Sequence, residues 1–268
     1  MSLVLGVVSD IHLGPLAHFE GKLRKLSHEA PRLLEEAVAG LRALSPDLVV
    51  NLGDDLEDES YGLDLARYEE CQRILRSVGV PIVNVAGNHD TVHLKAKDLL
   101  RVWGEDRAHL HGSRDVGGHH LIVLHTVERK DVDVRVHPDQ LAWLREDLAA
   151  TSLPTIVLMH HPAGEQDLSD TRWFHAAPHI ALVAERRALR EILEQSGKVR
   201  LVLNGHVHRN HFEVIRGIGY VTFQSLVENL DDDAPGRPAR SYGLVRVAEG
   251  GATIRVLGDD RAAYAVHW

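Results

Sequence analysis

Cysteine is nearly absent from this chain, which has 268 residues and a single cysteine, Cys71. One cysteine cannot form an intrachain disulfide, and it cannot supply the several thiolates of a cysteine-based zinc site. This scarcity is typical of proteins from a reducing compartment, so we expect a cytoplasmic protein. Stability must then come from a buried core, which a chain of this length can form without crosslinks.

Long apolar runs are also missing. No stretch of the chain approaches the ~20 consecutive apolar residues that span a bilayer, so we expect no membrane partner. The first fourteen residues, MSLVLGVVSDIHLG, carry neither a basic segment nor a small-residue cleavage site, and their apolar run is interrupted at Asp10. This pattern predicts a buried strand and not a signal peptide.

Basic residues are outnumbered by acidic ones, 30 against 39, which gives a formal net charge of -9. A protein that binds nucleic acid through its phosphates needs clustered positive charge, so we expect no stable nucleic-acid complex. Histidine, in contrast, is abundant, with 19 residues. Most of them are expected at the surface, but histidine is the commonest metal ligand, and the positions of a few indicate a metal site.

Short apolar runs bounded by turn residues predict strands buried on both faces. The predicted strands are residues 3–9, 48–52, 82–86, 121–124, 155–159 and 201–203, followed by 213–218, 220–224, 242–247 and 252–257. The predicted helices, from apolar residues at helical spacing, are 30–44, 63–78, 138–150 and 186–196. Their alternation predicts an α/β fold with parallel strands, finished by an antiparallel or mixed sheet, in a single domain over residues 1–268.

Five polar clusters follow predicted strands. In chain order they are Asp10-Ile11-His12, Gly53-Asp54, Gly87-Asn88-His89-Asp90, His160-His161-Pro162 and Gly205-His206-Val207-His208. In parallel sheets, ligands bind outside the carboxyl ends of the strands, so the clusters are expected to meet at one edge. Aspartate, asparagine and histidine together offer the oxygen and nitrogen ligands that divalent transition metals accept.

Each cluster is weaker evidence when it is taken alone. If the chain stays extended after the first strand, Asp10 and His12 point to the same side, but such pairs also occur in solvated loops. Asp54 can bridge two ions with its two oxygens, although Gly-Asp is common in turns. The G-H-x-H cluster is the sharpest signal, because two histidines at this spacing can chelate metal. The residues alone leave open whether His160 or His161 reaches the metal.

In this order, the five clusters resemble the signature of the calcineurin-like metallophosphoesterase superfamily, from Asp10 to His208. The resemblance implies a four-layer α/β/β/α sandwich, with two mixed sheets packed together and helices outside. It favours His160 of the histidine pair, and it makes His89 a catalytic residue that does not bind metal. The implied ligands are Asp10, His12 and His208 for one ion, Asn88, His160 and His206 for a second, and Asp54 as the bridge between them.

The implied function is hydrolysis of a phosphoester bond with two divalent metal ions, and the mixed ligands suit Mn, Fe, Zn or Co. Two ions roughly 3.5–4 Å apart clamp a phosphoryl group and activate a bridging water, so that a metal-bridging hydroxide attacks phosphorus. Asp54 would hold the bridge, and a protonated His89 would stabilise charge or protonate the leaving oxygen. Asp90 is expected either to orient His89 or to cap the segment that follows.

The expected substrate is a small phosphodiester or a nucleotide-like molecule, contacted by Asn88, His89 and His161. Two branches of the superfamily are considered: cyclic-nucleotide or glycerophosphodiester phosphodiesterases, and manganese-dependent ADP-ribose/CDP-alcohol diphosphatases, which residues 223–229 (FQSLVEN) resemble. The second branch typically has glutamine where this chain has His12. The alternatives are a phosphomonoesterase or nucleotide diphosphatase, a protein phosphatase, a nuclease, which the charge disfavours, and a catalytically weak binding protein, which the complete motifs disfavour.

Three segments are candidates for substrate recognition. In residues 18–28, Lys22, Arg24 and Lys25 are candidate ligands for a second phosphate, although a solvated helix start explains the stretch at least as well. In residues 164–179, Trp173 is expected either to stack on a base or to anchor the loop to the core. The third candidate is the very acidic segment of residues 55–61, for which the alternative is a solvated turn beside the metals.

Overall fold

The computed structural model describes residues 2–268. The strands are β1 (Leu3–Val8), β2 (Ala17–Phe19), β3 (Lys22–Lys25), β4 (Leu48–Asn51), β5 (Ile82–Asn84), β6 (Gly112–Val116), β7 (His119–Val123), β8 (Val127–Arg129), β9 (Asp133–Arg135), β10 (Thr155–Leu158), β11 (Val199–Asn204), β12 (His211–Ile215), β13 (Ile218–Thr222), β14 (Tyr242–Ala248), β15 (Gly251–Leu257) and β16 (Ala262–His267). The helices are α1 (Ala30–Leu44), α2 (Tyr61–Arg76), α3 (Ala96–Trp103), α4 (Pro138–Ala150) and α5 (Arg186–Ser196). None of these five helices combines the length and the apolar character that crossing a bilayer requires.

The first large sheet has the strand order β16-β15-β14-β1-β4-β5. β1, β4 and β5 are parallel, and β14 to β16 extend the sheet beside β1 as antiparallel strands. β4 reads LVVN and is buried throughout, as a parallel strand covered on both faces should be. One face is covered by α1, whose Leu34, Val38 and Leu41 recur at helical spacing, and by α2.

The second large sheet has the strand order β12-β13-β11-β10-β7-β6. Its four central strands are parallel, and the edge strands β6 and β12 are antiparallel to their neighbours. The outer face packs against α4 and α5, where Leu144 and Leu193 join the apolar cluster. The inner face packs against the first sheet, and one buried cluster contains Leu5 and Val50 of that sheet with Leu121 of the second. The four layers are therefore helix, sheet, sheet and helix.

The predicted α/β class with two mixed sheets and external helices is confirmed. Residues 18–28, considered as a helix start, instead contain the hairpin β2–β3, which turns at Glu20 and Gly21 with φ angles of 52° and 75°. The strand predicted at 213–218 ends at Ile215, because the next two residues form a hairpin turn. The short helix α3 and the edge strand β16 were not predicted.

His120 on β7 joins two elements through carboxylates. Its Nδ1 lies 2.6 Å from Asp115 Oδ1 on β6, and its Nε2 lies 2.8 Å from Asp147 Oδ2 on α4. Burial alone would lower the pKa of this imidazole, but the two carboxylates outweigh burial and raise it. A group with a raised pKa contributes stability below its unfolded pKa of about 6.5, and this stability is lost as the pH rises through the folded pKa.

His120→Gln is therefore expected to lower the melting temperature of the metal-free protein in acid and to leave it nearly unchanged in base. The expected loss is about 2 °C at about pH 5.5, because partly exposed pairs contribute ~1 kcal/mol or less. Thermal unfolding at that pH and at about pH 9 would measure it, with His28→Gln at an exposed position as the control. Equal losses at both pH values would contradict the role of the protonated ring.

Candidate metal centre

The loops that follow β1, β4, β5, β10 and β11 carry the five polar clusters, and they meet at one end of the sandwich. Main-chain hydrogen bonds join these loops. The amide of Asp10 donates to the Gly53 carbonyl at 3.0 Å, and the amide of Gly205 donates to the His160 carbonyl at 3.0 Å. The site thus lies where the carboxyl ends of the parallel strands come together.

The backbone at five of the predicted ligands is left-handed. The φ angles of Asp10, His12, Asp54, His206 and His208 are 52°, 48°, 57°, 71° and 54°. The premise that the first two lie on one face of an extended strand was therefore wrong, because β1 ends before them and the chain turns at both. Left-handed backbone costs free energy in residues other than glycine, and it is kept at functional sites where the surrounding structure holds it.

Asp10, His12 and His208 form a first group of converging side chains. His12 Nε2 lies 2.9 Å from His208 Nε2, and these two nitrogens lie 4.0 Å and 3.5 Å from Asp10 Oδ1. All three side chains are buried. Their facing donor atoms form a set that one metal ion can occupy.

Two carboxylates, of the partly buried Glu57 and the buried Glu228, lie on the far sides of these histidine rings. Glu57 Oε1 lies 3.0 Å from His12 Nδ1, and Glu228 Oε2 lies 2.9 Å from His208 Nδ1. A carboxylate beside Nδ1 fixes the ring orientation and keeps the proton on that nitrogen, which leaves Nε2 free to bind metal. Both rings therefore present Nε2 towards Asp10.

His160, Asn88 and the neighbouring His206 form a second group, which lies against Asp54. His160 Nε2 lies 3.1 Å from Asn88 Oδ1 and 3.2 Å from Asp54 Oδ2, and its Nδ1 lies 2.8 Å from a main-chain carbonyl after β4. His206 is adjacent, with its ring centre 5.1 Å from that of His160. Its Nε2 lies 3.1 Å from a main-chain carbonyl, so Nδ1 is the free nitrogen.

Asp54 lies between the two groups. Its Oδ2 is 3.7 Å from His12 Nε2 and 3.2 Å from His160 Nε2. The neighbouring loop packs tightly against it, because a Cβ atom added to Gly87 would overlap the Asp54 carboxylate. Glycine is therefore required where this loop approaches the shared carboxylate.

Asp90 ties the loop after β4 to the loop after β5. Its carboxylate accepts hydrogen bonds from the amides of Asp54, Asp55 and Gly87 at 2.8–2.9 Å. It bonds to the main chain and makes no hydrogen bond to the His89 ring, which is instead bonded to another carboxylate. Asp90 therefore neither orients His89 nor caps the segment that follows, the two roles that were expected for it. Its contacts position the loop that carries Asp54.

His161 lies next to His206, and its donor atoms lie close to those of His160 and His206. Its Nδ1 is 2.7 Å from Thr126 Oγ1, and its ring centre is 4.0 Å from that of His206. Of the two adjacent histidines, His160 is the one that faces Asp54. His161 does not line the cavity in front of the ligands, and its contact with substrate stays a prediction.

The ionisation of several side chains suits metal binding. Burial alone would raise the pKa of Asp10, but its neighbours, above all His208, lower it to about 2. Burial lowers the pKa of His12 to about 4 and that of His206 to about 3. At neutral pH the Asp10 carboxylate is therefore charged and the His12 and His206 rings are neutral. Carboxylates and imidazoles bind metal in these forms.

His160 and His208 behave differently, because nearby buried carboxylates stabilise the protonated form of their rings. Burial alone would lower both pKa values, but Asp54 raises that of His160 to about 10, and Asp10 raises that of His208 to about 9. Divalent cations bound by the same nitrogens would supply this charge in place of protons. The site therefore fits metal ions that accept mixed nitrogen and oxygen ligands, such as Mn, Fe or Zn.

His89 stands beside the first group, where it faces His12 and Glu57. Its Nδ1 lies 2.6 Å from Asp58 Oδ1, and its ring centre lies 4.9 Å from that of His12. Burial alone would lower the pKa of His89, but the charge of Asp54 and the hydrogen bond to Asp58 outweigh burial, so the pKa is raised. With Nδ1 engaged by a carboxylate, Nε2 is the ring nitrogen left to contact a substrate.

A cavity of about 170 Å³ lies in front of the ligands. It is lined by His89, Lys25, Glu128, Trp173 and Phe174, and by five of the seven predicted ligands, which are His12, Asp54, Asn88, His206 and His208. Lys25 is only 4% exposed, and it is the sole lysine or arginine lining this cavity within the described chain. Its ammonium pairs with Glu57 and lies 5.1 Å from the centre of the Trp173 ring.

Arg24 points away from this cavity. Its Nη1 lies 2.5 Å from Asp232 Oδ1, and the side chain is not part of the lining. Successive residues of a strand point to opposite sides, so Lys25, the next residue on β3, reaches the site instead. The structure thus does not place Arg24 with the other predicted site residues.

Trp173 anchors its loop and also forms a wall of the cavity. Its ring stacks on Phe19 with 5.1 Å between ring centres, and its Nε1 donates to Glu228 Oε2 at 3.0 Å. These contacts correspond to the anchoring role expected from the sequence. Stacking on a substrate base stays a prediction.

Removal of charge at Glu228 tests the support of the first group. Glu228→Gln is expected to weaken binding of one ion by about 10- to 100-fold, because a carboxylate that orients a ligating histidine also increases its basicity. Titration of metal-stripped protein with Mn²⁺ would measure this. Glu165→Gln, at a carboxylate paired with Arg190 outside the site, is the control. Unchanged affinity in Glu228→Gln would show that His208 needs no such partner.

Residues 3–210 match the family described as calcineurin-like phosphoesterase. A protein of Synechococcus sp. named "probable cyclic nucleotide phosphodiesterase" is 30% identical over 245 residues, which cover 89% of this chain and 86% of that protein. A protein of Psychrobacter arcticus with the same name is 26% identical over 263 residues, which cover 91% and 89% of the two chains.

Solved structures share the fold. A dimetal phosphatase from Danio rerio superimposes with a TM-score of 0.78 at 14% identity and covers 99% of each chain. A purple acid phosphatase from yellow lupin gives a TM-score of 0.72 at 12% identity, over 100% of this chain and 54% of the other. At such identities the likeness concerns the fold alone.

Proposed function

The chain belongs to the calcineurin-like phosphoesterase family and is a metal-dependent phosphoester hydrolase, and from this premise we propose that it opens the phosphodiester ring of a cyclic nucleotide. The observation that carries the proposal is the position of Asp54 between two groups of buried ligands, at a cavity that His89 and Lys25 also line. The names of the two curated relatives, which align over most of this chain, support the substrate class.

We propose that two divalent ions bind at this site. The proposed ligands are Asp10, His12 and His208 for one ion, Asn88, His160 and His206 for the other, and Asp54 for both. When bound, the ions supply Lewis-acid stabilisation of the phosphoryl oxygens and a water of lowered pKa.

The residues around the ions complete the proposed reaction. Water adds to phosphorus and releases one proton to the solvent, and the bond from phosphorus to one ribose oxygen breaks, so that one P–O bond forms as another is lost. His89, held by Asp58, carries a proton on Nε2 and gives it to the departing ribose oxygen. Of the three basic residues predicted in this role, Lys25 is the one that lines the cavity, and its ammonium would face the charge of the phosphoryl group.

A hydrolysis screen tests this function. Metal-stripped protein would be assayed with and without added Mn²⁺ on cyclic AMP, cyclic GMP, bis(p-nitrophenyl) phosphate, p-nitrophenyl phosphate, a glycerophosphodiester and ADP-ribose. We expect metal-dependent hydrolysis, with cyclic nucleotides among the best substrates. Preference for the monoester would indicate a phosphatase, and preference for ADP-ribose a diphosphatase. Metal binding without hydrolysis of any compound would favour a binding protein.

A further inference from the structure

Glu128 has no part in the proposed metal centre, yet its side chain reaches the same place. It lies on β8, is partly buried, and lines both the cavity in front of the ligands and a second cavity of about 270 Å³ beside it. Asn88 and His89 also line both cavities. The second cavity therefore adjoins the position proposed for the phosphoryl group.

Most polar groups of the second cavity already have partners. Asp58 is bonded to His89, and the Thr91 hydroxyl donates to two main-chain carbonyls at 3.2 Å each. The Glu128 carboxylate, in contrast, makes no hydrogen bond or ion pair with a side chain among residues 2–268, and burial raises its pKa. It is a free acceptor at the junction of the two cavities.

The other residues that line the second cavity suit the nucleoside part of a nucleotide. Val92 is 53% exposed and provides an apolar surface, and Lys130 provides a cation on the same cavity. A nucleoside combines a flat apolar base with hydroxyl and amino groups that donate hydrogen bonds. Its donors need an acceptor close to the phosphate, which is where Glu128 lies.

We propose that Glu128 accepts a hydrogen bond from the nucleoside half of the substrate, from a ribose hydroxyl or from a base amino group, and thereby selects nucleotides over simpler diesters. This inference rests on the proposed function, which places the phosphoryl group beside His89. Selection follows because a substrate without the donor would leave the carboxylate desolvated and without a partner.

The test compares kcat/KM for cyclic AMP with kcat/KM for bis(p-nitrophenyl) phosphate, which has no such donor. Glu128→Ala is expected to lower the ratio of the two values by about 10- to 100-fold, the effect of one hydrogen bond to a charged group. Glu128→Gln keeps an acceptor oxygen and should lower the ratio less. Asp131→Asn removes a charge from the same hairpin, outside both cavities, and should leave the ratio unchanged.

Substrate analogues identify the donor. If the ribose hydroxyl donates, deoxyribose cyclic AMP reacts slowly with the wild type, and Glu128→Ala removes the difference. If the base amino group donates, cyclic IMP, which lacks that group, reacts slowly with the wild type, and Glu128→Ala removes the difference. An unchanged ratio in Glu128→Ala, with cyclic AMP hydrolysed normally, would overturn the assignment of Glu128 and leave the proposed function intact.

A wild type that hydrolyses only the aryl diester would instead contradict the proposed function. Glu128 would then be tested by inhibition of that reaction with AMP and with inorganic phosphate. We expect AMP to inhibit the wild type more strongly than phosphate, and Glu128→Ala to lose this preference. Equal inhibition by the two compounds in the wild type would overturn the inference as well.

Discussion

Replacing Asp54 with alanine is expected to abolish hydrolysis and to lower the amount of bound metal. Asp54 Oδ2 lies 3.2 Å from His160 Nε2 and 3.7 Å from His12 Nε2, so its loss removes a carboxylate from both groups of ligands. We expect turnover to fall by at least about 10³-fold, the upper range for the loss of one preorganised electrostatic contact. Metal analysis after dialysis and steady-state assays would measure both effects.

Two further variants define the role of Asp54. Asp106→Ala removes an exposed carboxylate elsewhere and should change neither metal content nor turnover. Asp54→Asn keeps an oxygen ligand without the charge, and it should retain more metal than the alanine variant. If Asp54→Ala keeps its metal and its rate, the assignment of Asp54 as the shared ligand is wrong.

Replacing His89 with alanine is expected to lower turnover while the metal stays bound. The ring is held by Asp58 and stands beside His12, and we propose that it is not a metal ligand. Loss of a proton donor at this position is expected to reduce kcat by about 10²–10⁴-fold. The same metal analysis and assays, run in parallel on the wild type, would show whether the two effects separate.

The partner of His89 supplies a graded comparison. Asp58→Asn should reduce turnover less than His89→Ala, because the ring remains and only its orientation and basicity change. His93→Ala removes a histidine that is bonded to Asp64, and it should have little effect on turnover. Metal loss in His89→Ala would identify His89 as a ligand and contradict its proposed role.

The general location of the site could be predicted because parallel strands end at the same edge of a sheet. Asp10, Asn88 and His160 follow three different buried strands and meet as expected. The local path of the chain could not be predicted in this way. Periodicity describes regular strands, whereas Asp10 and His12 lie in left-handed turns after β1 has ended.

The supporting carboxylates were missed for a different reason. Glu57 and Asp58 belong to an acidic segment that was interpreted as a solvated turn, yet this segment packs against His12 and His89. Four acidic residues within 54–58, directly after a strand, were the available signal. Glu228 lies within residues 223–229, which resemble one branch of the superfamily, but nothing in the sequence paired it with His208, which is 20 residues away and meets it only in the folded chain. The single domain and the substrate contact of His161 stay predictions.

Glu228 connects the metal side of the cavity with its outer wall. One oxygen, Oε2, lies 2.9 Å from His208 Nδ1 and 3.0 Å from Trp173 Nε1. A substrate that fixes Trp173 would therefore also favour the ring position in which His208 binds metal. By thermodynamic reciprocity, the factor by which substrate tightens the ion equals the factor by which the ion tightens substrate. The metal concentration that gives half of full activity would then fall as the substrate concentration rises.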